Sequence, residues 1–235
     1  MKVTPMLMTS PNVRKILDGR KTQTRRVVVG LEEGEFPQEA GGLHCPYGTT
    51  GDILALKETF YAWGYWHDEN LGKPGKPKWR WVDETSHGDP IITESERIFT
   101  LPKIDRDKLG YHKRPSLYLP KTEWRVFLCI DEVRVERLQD ISEADAEAEG
   151  IIREGDGWQS CEVITQGPHK GKPHPHSVIP NKSPITSYKE LWDSINGQQQ
   201  PGKPDISWAA NPWVWAITFT PIPRLTLTPD GEWNI

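Results

Sequence analysis

Cysteine is scarce. The chain has 3 in 235 residues, Cys45, Cys129 and Cys161, an odd count without CxxC spacing, which excludes a disulfide framework and a zinc ribbon. No run approaches the ~18 apolar residues of a membrane-spanning helix. The N-terminal MKVTPMLMTSPNVRK holds only a short apolar hint and lacks the core of a secretory signal. A cytosolic protein with no membrane partner is expected. Apolar residues are few, at 35%, beside 20 glycines and 21 prolines, so part of the chain must run as loops outside the core. The formal charge of -4 excludes a global pull toward nucleic acid or anionic lipid, and any such contact must come from a local patch. There is no phosphate-cradling glycine loop, no GxSxG and no HExxH. His169, His174 and His176, with Cys161, match no metal-site spacing and read as a polar loop; neither a metal nor a cofactor is expected.

What the chain does have is local pattern. Val13, Ile16 and Leu17 form an apolar helical stripe, with Ser10 as cap, Pro11 in the first turn and Gly19 at the left-handed exit. Residues 46–60, PYGTTGDILALKETF, read as a turn and then a strand around Ile53, Leu54, Ala55 and Leu56, with Glu58 near its exit. Alternation of Trp124, Val126, Leu128 and Ile130 makes 123–138 a long strand, or two joined at Asp131 by a bulge. ISEADAEAEGI reads as a helix capped by Ser142 and ended by Gly150. SYKELWDSING places Ser187 and Glu190 at capping-box spacing before a second such helix. Trp213, Trp215, Ile217 and Phe219 share one face of a late strand. Helices and strands do not alternate regularly enough for a doubly wound sheet. The expected fold is α+β, a single domain over 1–235: a small mixed barrel or curled sheet flanked by helices, with two long loop insertions at about 62–110 and 152–185, the first with room for a hairpin around Trp79 to Val82.

The most charged stretch is ILDGRKTQTRR. Over residues 14–26, Arg14, Lys15, Arg20, Lys21, Arg25 and Arg26 face a lone acid, Asp18, in a chain that is acidic overall. A solvated basic edge is the plain reading. Against it, the run follows a helix that should be packed, and its threonines add hydroxyls that a solubilising patch does not need. Lys21 and Thr24 share a face if the segment turns helically; if it is extended they point to opposite faces and the partnership fails. A lysine whose pKa is lowered by burial and by Arg20 and Arg25 can act as a base toward a threonine nucleophile. In the acidic helix, Asp145 and Glu149 lie one turn apart, at a height where a carboxylate can orient Lys21 or serve as a general acid.

The 11 tryptophans divide. Trp124, Trp213 and Trp215 belong to strands. Trp63, Trp66, Trp79 and Trp81, with Tyr61 and Tyr65, mix with Lys76, Lys78 and Arg80 in the first insertion. That pairing suits base stacking with phosphate neutralisation, and equally an inserted small core.

Taken in order, these pieces resemble the ASCH superfamily, whose members have a PUA-like β-barrel. The resemblance rests on GRKTQTR at 19–25, GDILALKETF at 51–60, LQDISEADAEAEG at 138–150 and the late WVWAITF strand. RPSLYLPKTEWR at 114–125, with LWDSIN and NPWVW, is similar to larger ASCH-like proteins common in phages and prophages. The two insertions lie outside the motifs. The resemblance implies a nucleoside or nucleic-acid role. Small members include amidohydrolases that remove the acyl group of N4-acetylcytidine, and matching residue by residue makes Lys21 the base, Thr24 the nucleophile and Glu149 the acid. It also implies that Arg25 faces the same pocket and that Glu58 lies at a strand end near it. Arg20 and Arg25, with the aromatics Trp63 and Trp79, would position a modified nucleoside or nucleotide. Other members resemble RNA-binding modules or metal-dependent ribonucleases, so RNA is the alternative partner.

Overall fold

The computed structural model describes residues 1–29, 44–71, 75–84, 90–95, 101, 103–160, 182–197 and 201–234. Its centre is a five-stranded sheet in the order β1 (Val3–Leu7), β3 (Ile53–Lys57), β8 (Phe127–Arg137), β11 (Trp213–Ile222), β2 (Gln23–Val27). The β1–β3 pair is parallel and the other pairs are antiparallel. The sheet is mixed and curled, as expected, but among the described residues it does not close into a barrel. β1 and β2 stay at opposite edges, and Arg26 spans from one to the other, its Nη2 donating to the Leu7 carbonyl at 2.8 Å. Pro5 sits in β1, where a residue without an N–H is tolerated because the strand lies on an edge.

A bulge sets the phase of the long strand. Thr218 pairs with Glu132 and Phe219 with Ile130, which leaves Asp131 as the extra residue, at the position where the sequence anticipated it. One face of the sheet therefore carries Leu128 and Ile130 before the bulge and Val133 and Val135 after it. These pack with Met6, Val13, Ile16, Trp215, Ile217 and Phe219. Without the bulge, Arg134 and Glu136 would enter that apolar cluster instead.

Helix α1 (Ser10–Leu17) is capped at Thr9 rather than Ser10. Its buried stripe is rotated from the expected one: Leu17 is exposed, and Lys15 is buried with Val13 and Ile16. The Lys15 side chain lies against Gly150. Helix α2 (Glu143–Ala148) is capped by Ser142, whose hydroxyl accepts from the Asp145 N–H. Helix α3 (Pro184–Asn196) starts at Ser183, four residues before the anticipated Ser187. Ser187 instead lies buried inside the helix, with Tyr188, Leu191 and Trp192. α2 and α3 cover the end of the sheet around Leu138, Ile141, Ala146 and Val214.

The first insertion is not a loop. Its described residues form a second sheet, β4 (Phe60–Asp68) between β5 (Trp79–Asp83) and β6 (Ile92–Thr93), with β7 (Gly110–Arg114) also paired to β4. Phe60 and Ala62 of β4 pack on Ile53, Ala55, Phe127 and Trp124 of the main body. Gly64 allows this pairing, since a Cβ there would lie 2.2 Å from the Val82 carbonyl. The second insertion starts with an unforeseen hairpin, β9 (Ile151–Glu154) and β10 (Gly157–Ser160). Cys161, His169, His174 and His176 lie outside the described residues. The long strand begins at Phe127 rather than 123, because residues 121–123 form a single 3-10 turn that still buries Trp124. The late strand is as read: Trp215, Ile217 and Phe219 share the core face, with Trp213 packed at its edge. A short final pair, β12 (Thr226–Leu227) and β13 (Trp233–Asn234), sets Trp233 against Phe127 and Trp124. No helix among the described residues is long and apolar enough to cross a membrane.

Candidate functional site

The basic run is neither a helix nor a solvated edge. From Gln23 on it is strand β2, and its register against β11 assigns each side chain a face: Gln23 opposite Thr218, Thr24 opposite Ile217, Arg25 opposite Ala216. Gln23 and Arg25 face the side covered by α2. Gln23 Nε2 donates to Thr218 Oγ1 at 3.1 Å and to Asp145 Oδ1 at 3.0 Å. Thr24, one residue between them, shares the face of Ile217 in the apolar cluster.

On the polar face, the fold gathers charges from distant parts of the chain. Lys21 Nζ donates to Glu149 Oε2 at 2.5 Å and to the Glu149 carbonyl at 2.9 Å. Both side chains are 5% exposed or less. The other oxygen, Oε1, accepts from Arg25 Nη1 at 3.3 Å and from the Tyr188 hydroxyl at 3.4 Å. The Arg25 guanidinium is fully buried and meets Glu136 at 2.7 Å and Asp145 at 3.3 Å. Arg134 joins from β8, 3.3 Å from Asp145 and 3.5 Å from Glu136. Arg134 is partly exposed and also meets Glu132 at 2.8 Å. Lys21 and Arg25 stay buried among Glu136, Asp145 and Glu149 because their lost hydration is replaced by ionic hydrogen bonds.

The ionisation of the groups follows from these contacts. Burial acts to lower the Arg25 pKa, but Glu149, Tyr188 and Glu136 outweigh it and the net shift is upward. Burial pushes Asp145 up, while Gln23, Ser142, Arg25 and Arg134 pull it further down, so it is held below the usual aspartate range. Tyr188 is pushed well above an ordinary phenol by burial and then by the Glu149 charge, so its proton stays available to Glu149.

Gly150 fixes the height of Glu149. It ends α2 with φ +91°, and a Cβ added there would lie 2.8 Å from Lys15 Cδ and 3.4 Å from Lys21 Cβ. Gly150→Ala is therefore expected to cost about 1–3 kcal/mol in urea denaturation, from backbone strain and displacement of the two lysines. A change below about 0.5 kcal/mol, the scale of ordinary surface substitutions, would show that the turn is not under this constraint.

The remaining expected site residues separate. Lys21, Arg25 and Glu149 are together. Thr24 makes no hydrogen bond to Lys21 or Glu149 among the described residues; extended backbone places it on the other face from Gln23 and Arg25. Arg20 is an exposed partner of Asp18. Glu58 is buried elsewhere, accepting from the Ser95 N–H at 2.9 Å, with Arg125 at 3.4 Å. Trp63 lies in the second sheet, edge-on to Tyr111 with centroids 5.1 Å apart. Trp79 is exposed at its margin, 5.9 Å from the Arg106 guanidinium. Gln23, Glu136, Arg134 and Tyr188 were missed by sequence reasoning. A hint existed for Arg134 and Glu136, which alternate with Val133 and Val135 and so share the polar face of the strand; Tyr188 gave none. No cluster of His, Cys, Asp or Glu able to hold a metal ion occurs among the described residues.

In comparison with known proteins, no family model matches the chain, and neither a curated protein nor a solved structure does.

Proposed function

We propose that this chain is an ASCH-like protein of PUA-like descent that hydrolyses an acylated nucleoside or nucleotide of the N4-acylcytidine type. The observation that carries this reading is the buried contact between Lys21 Nζ and Glu149 Oε2. In one tautomer the pair is an ion pair; with the proton on Glu149 it is a neutral base beside a neutral acid. From the neutral tautomer, Lys21 takes the proton of the nucleophile as it attacks the acyl carbonyl. Glu149 gives its proton to the departing N4 amine. The pair ends as lysinium and carboxylate, and one proton passed back along the contact resets it. Arg25 and Tyr188 hold the Glu149 carboxyl in place through its other oxygen.

Thr24 is the nucleophile by family resemblance, its acyl ester then being cleaved by a water molecule that the reset pair deprotonates, whereas the resting register of β2 favours direct attack by water. Chromatography of N4-acetylcytidine incubated with the purified chain tests the reading. Wild type should release cytidine, and Lys21→Ala should lower the rate roughly 10²–10⁴-fold, the range of a lost acid–base group. No conversion by concentrated wild type would overturn it. Thr24→Ala decides the nucleophile: lost turnover in a folded variant assigns it to Thr24, and retained turnover assigns it to water.

A second reading, a non-catalytic RNA- or modified-base-binding module, is favoured by the second sheet. The register of β4 and β7 lines Tyr61, Trp63, Tyr65, Tyr111 and Lys113 along one half-exposed face, which suits the stacking of unpaired bases. Under that reading there is no turnover, and RNA affinity falls steeply with salt.

A further inference from the structure

The 114–125 motif opens with an arginine that the proposed chemistry does not use. Arg114 ends β7 and is 7% exposed, yet among the described residues its side chain forms none of the ion pairs or hydrogen bonds that buried arginines normally require. Its Nε and Nη1 are buried without an acceptor. Aromatic rings surround the guanidinium instead: Trp81 at 4.2 Å, Trp66 at 5.0 Å and Tyr118 at 5.5 Å from Cζ to ring centroid. Ring faces offset part of the charge, but they accept nothing in the guanidinium plane, where all five N–H bonds point. Burial lowers the Arg114 pKa, with Asp83 and Tyr118 opposing; the group nevertheless remains a cation at any physiological pH.

Buried donors left without acceptors are rare in native folds, and each such group calls for a specific explanation. Here the two unsatisfied nitrogens belong to different forks of one guanidinium, the side-on Nε/Nη2 fork and the end-on Nη1/Nη2 fork. Nη2, common to both, is not among the enclosed atoms, so an anion arriving at Nη2 finds a second N–H on either side. The third ring, Tyr118, is 59% exposed and follows Leu117, itself 60% exposed. A flat, anion-bearing ligand can therefore meet an open aromatic ring beside the cation.

We propose that Arg114 is a receptor for a phosphate group, carried either by a free nucleotide or by a nucleic-acid strand. Phosphate offers more acceptor oxygens than a carboxylate and suits a planar donor fork held rigid by stacking. Trp66 and Trp81 fix the plane of that fork, and Tyr118 stands where a base would lie. The site belongs to the second sheet and depends on no part of the hydrolase reading; either can fail alone.

The test is an NMR titration of arginine Nε–H resonances in the full chain, in phosphate-free buffer. The probes are inorganic phosphate, CMP, a single-stranded oligoribonucleotide, and acetate as control. One resonance, missing from the spectrum of Arg114→Lys, is expected to shift saturably with the phosphate probes and to ignore acetate at the same concentration. Arg114→Lys, which keeps the charge and loses the fork, should weaken CMP binding about tenfold or more. Tighter binding of CMP than of the oligonucleotide identifies a free nucleotide as the source, and the reverse order a strand. The proposal is overturned if no arginine Nε–H of the wild-type chain responds, if acetate matches phosphate, or if Arg114→Lys binds CMP as well as wild type does.

Discussion

Glu149→Ala is expected to destabilise the fold by about 3–5 kcal/mol, the usual cost of removing one partner from a buried ionic pair. The substitution strands two cations at once. Lys21 loses its 2.5 Å partner and Arg25 one of its three carboxylates, in a space closed by α2 and α3. Tyr188 also loses the acceptor of its buried hydroxyl. The double variant Lys21→Leu with Glu149→Leu should recover much of the loss, because a matched apolar replacement removes both desolvation penalties together. Urea denaturation of the single and double variants measures this. A single-variant cost under about 1 kcal/mol, the scale of an exposed ion pair, would mean that water reaches the pair. Turnover of N4-acetylcytidine, in contrast, should vanish in both variants, and this separates the stability of the cluster from its proposed chemistry.

Phe127→Ala should cost about 3–5 kcal/mol, as expected for a fully buried aromatic whose cavity cannot collapse. Phe127 has no exposed surface and is the point where the two sheets meet. Its ring lies among Ile53 and Ala55 of the main sheet, Phe60 and Ala62 of the second, and Trp233, whose ring is edge-on at 5.1 Å. The next residue, Leu128, points the other way into the α1 cluster. Hydrogen exchange should therefore report an asymmetric loss in the Phe127 variant. Amides of β4 and β7 become exchangeable through a local opening, while those of β8 and β11 exchange only with global unfolding. Leu128→Ala should lower protection in the main sheet instead. Equal effects of both variants on β4 would show that the two sheets open as one unit.

How far the sequence carried the structure depended on whether a residue's partner lay nearby. Ser142 capping α2, Gly150 closing it and the alternation of Trp213 to Phe219 depend on local backbone and one apolar face, and these were legible. The bulge at Asp131 could be read because it interrupts a period of two. β2 was opaque for the opposite reason. Gln23 and Arg25 sit on a covered face, and a strand with polar residues there resembles a loop until its neutralising groups are known. Those groups lie far off, at separations of 111, 124 and 128 residues for Glu136–Arg25, Glu149–Arg25 and Glu149–Lys21. The same distance effect hid the rotation of α1, since Lys15 rather than Leu17 is buried only because Gly150 arrives beside it. The second sheet was masked by composition. Its strands carry Lys, Arg, His and Asp at their margins, and aromatics half-exposed on both faces blur the alternation that marks a strand.

For the candidate site, helical spacing conveyed that a carboxylate of Asp145 or Glu149 could orient Lys21, and Glu149 is the one that meets it. Spacing did not convey the facing of Thr24, which hinges on whether residues 23–27 are helical or extended. That choice is made by hydrogen bonding to β11, and nothing within the run itself expresses it.

The order of the strands has a consequence for how this molecule comes into being. Among the described residues β2 is an edge strand paired with β11 alone, and the Gln23–Thr218 contact links positions 195 residues apart. At ribosomal rates of roughly 5–20 residues per second, β2 waits on the order of 10–40 s before its partner has been made. During that interval α1, β1 and β3 can dock, while Lys21 and Arg25 stay in water, where their charges cost nothing. The ionic cluster is therefore completed late, by the segment that seals β2 into the sheet. A nascent chain halted before Trp213 should carry the apolar cluster only in part and leave β2 without the strand it pairs with, so that the buried Lys21–Glu149 contact is fixed only once β11 has been made.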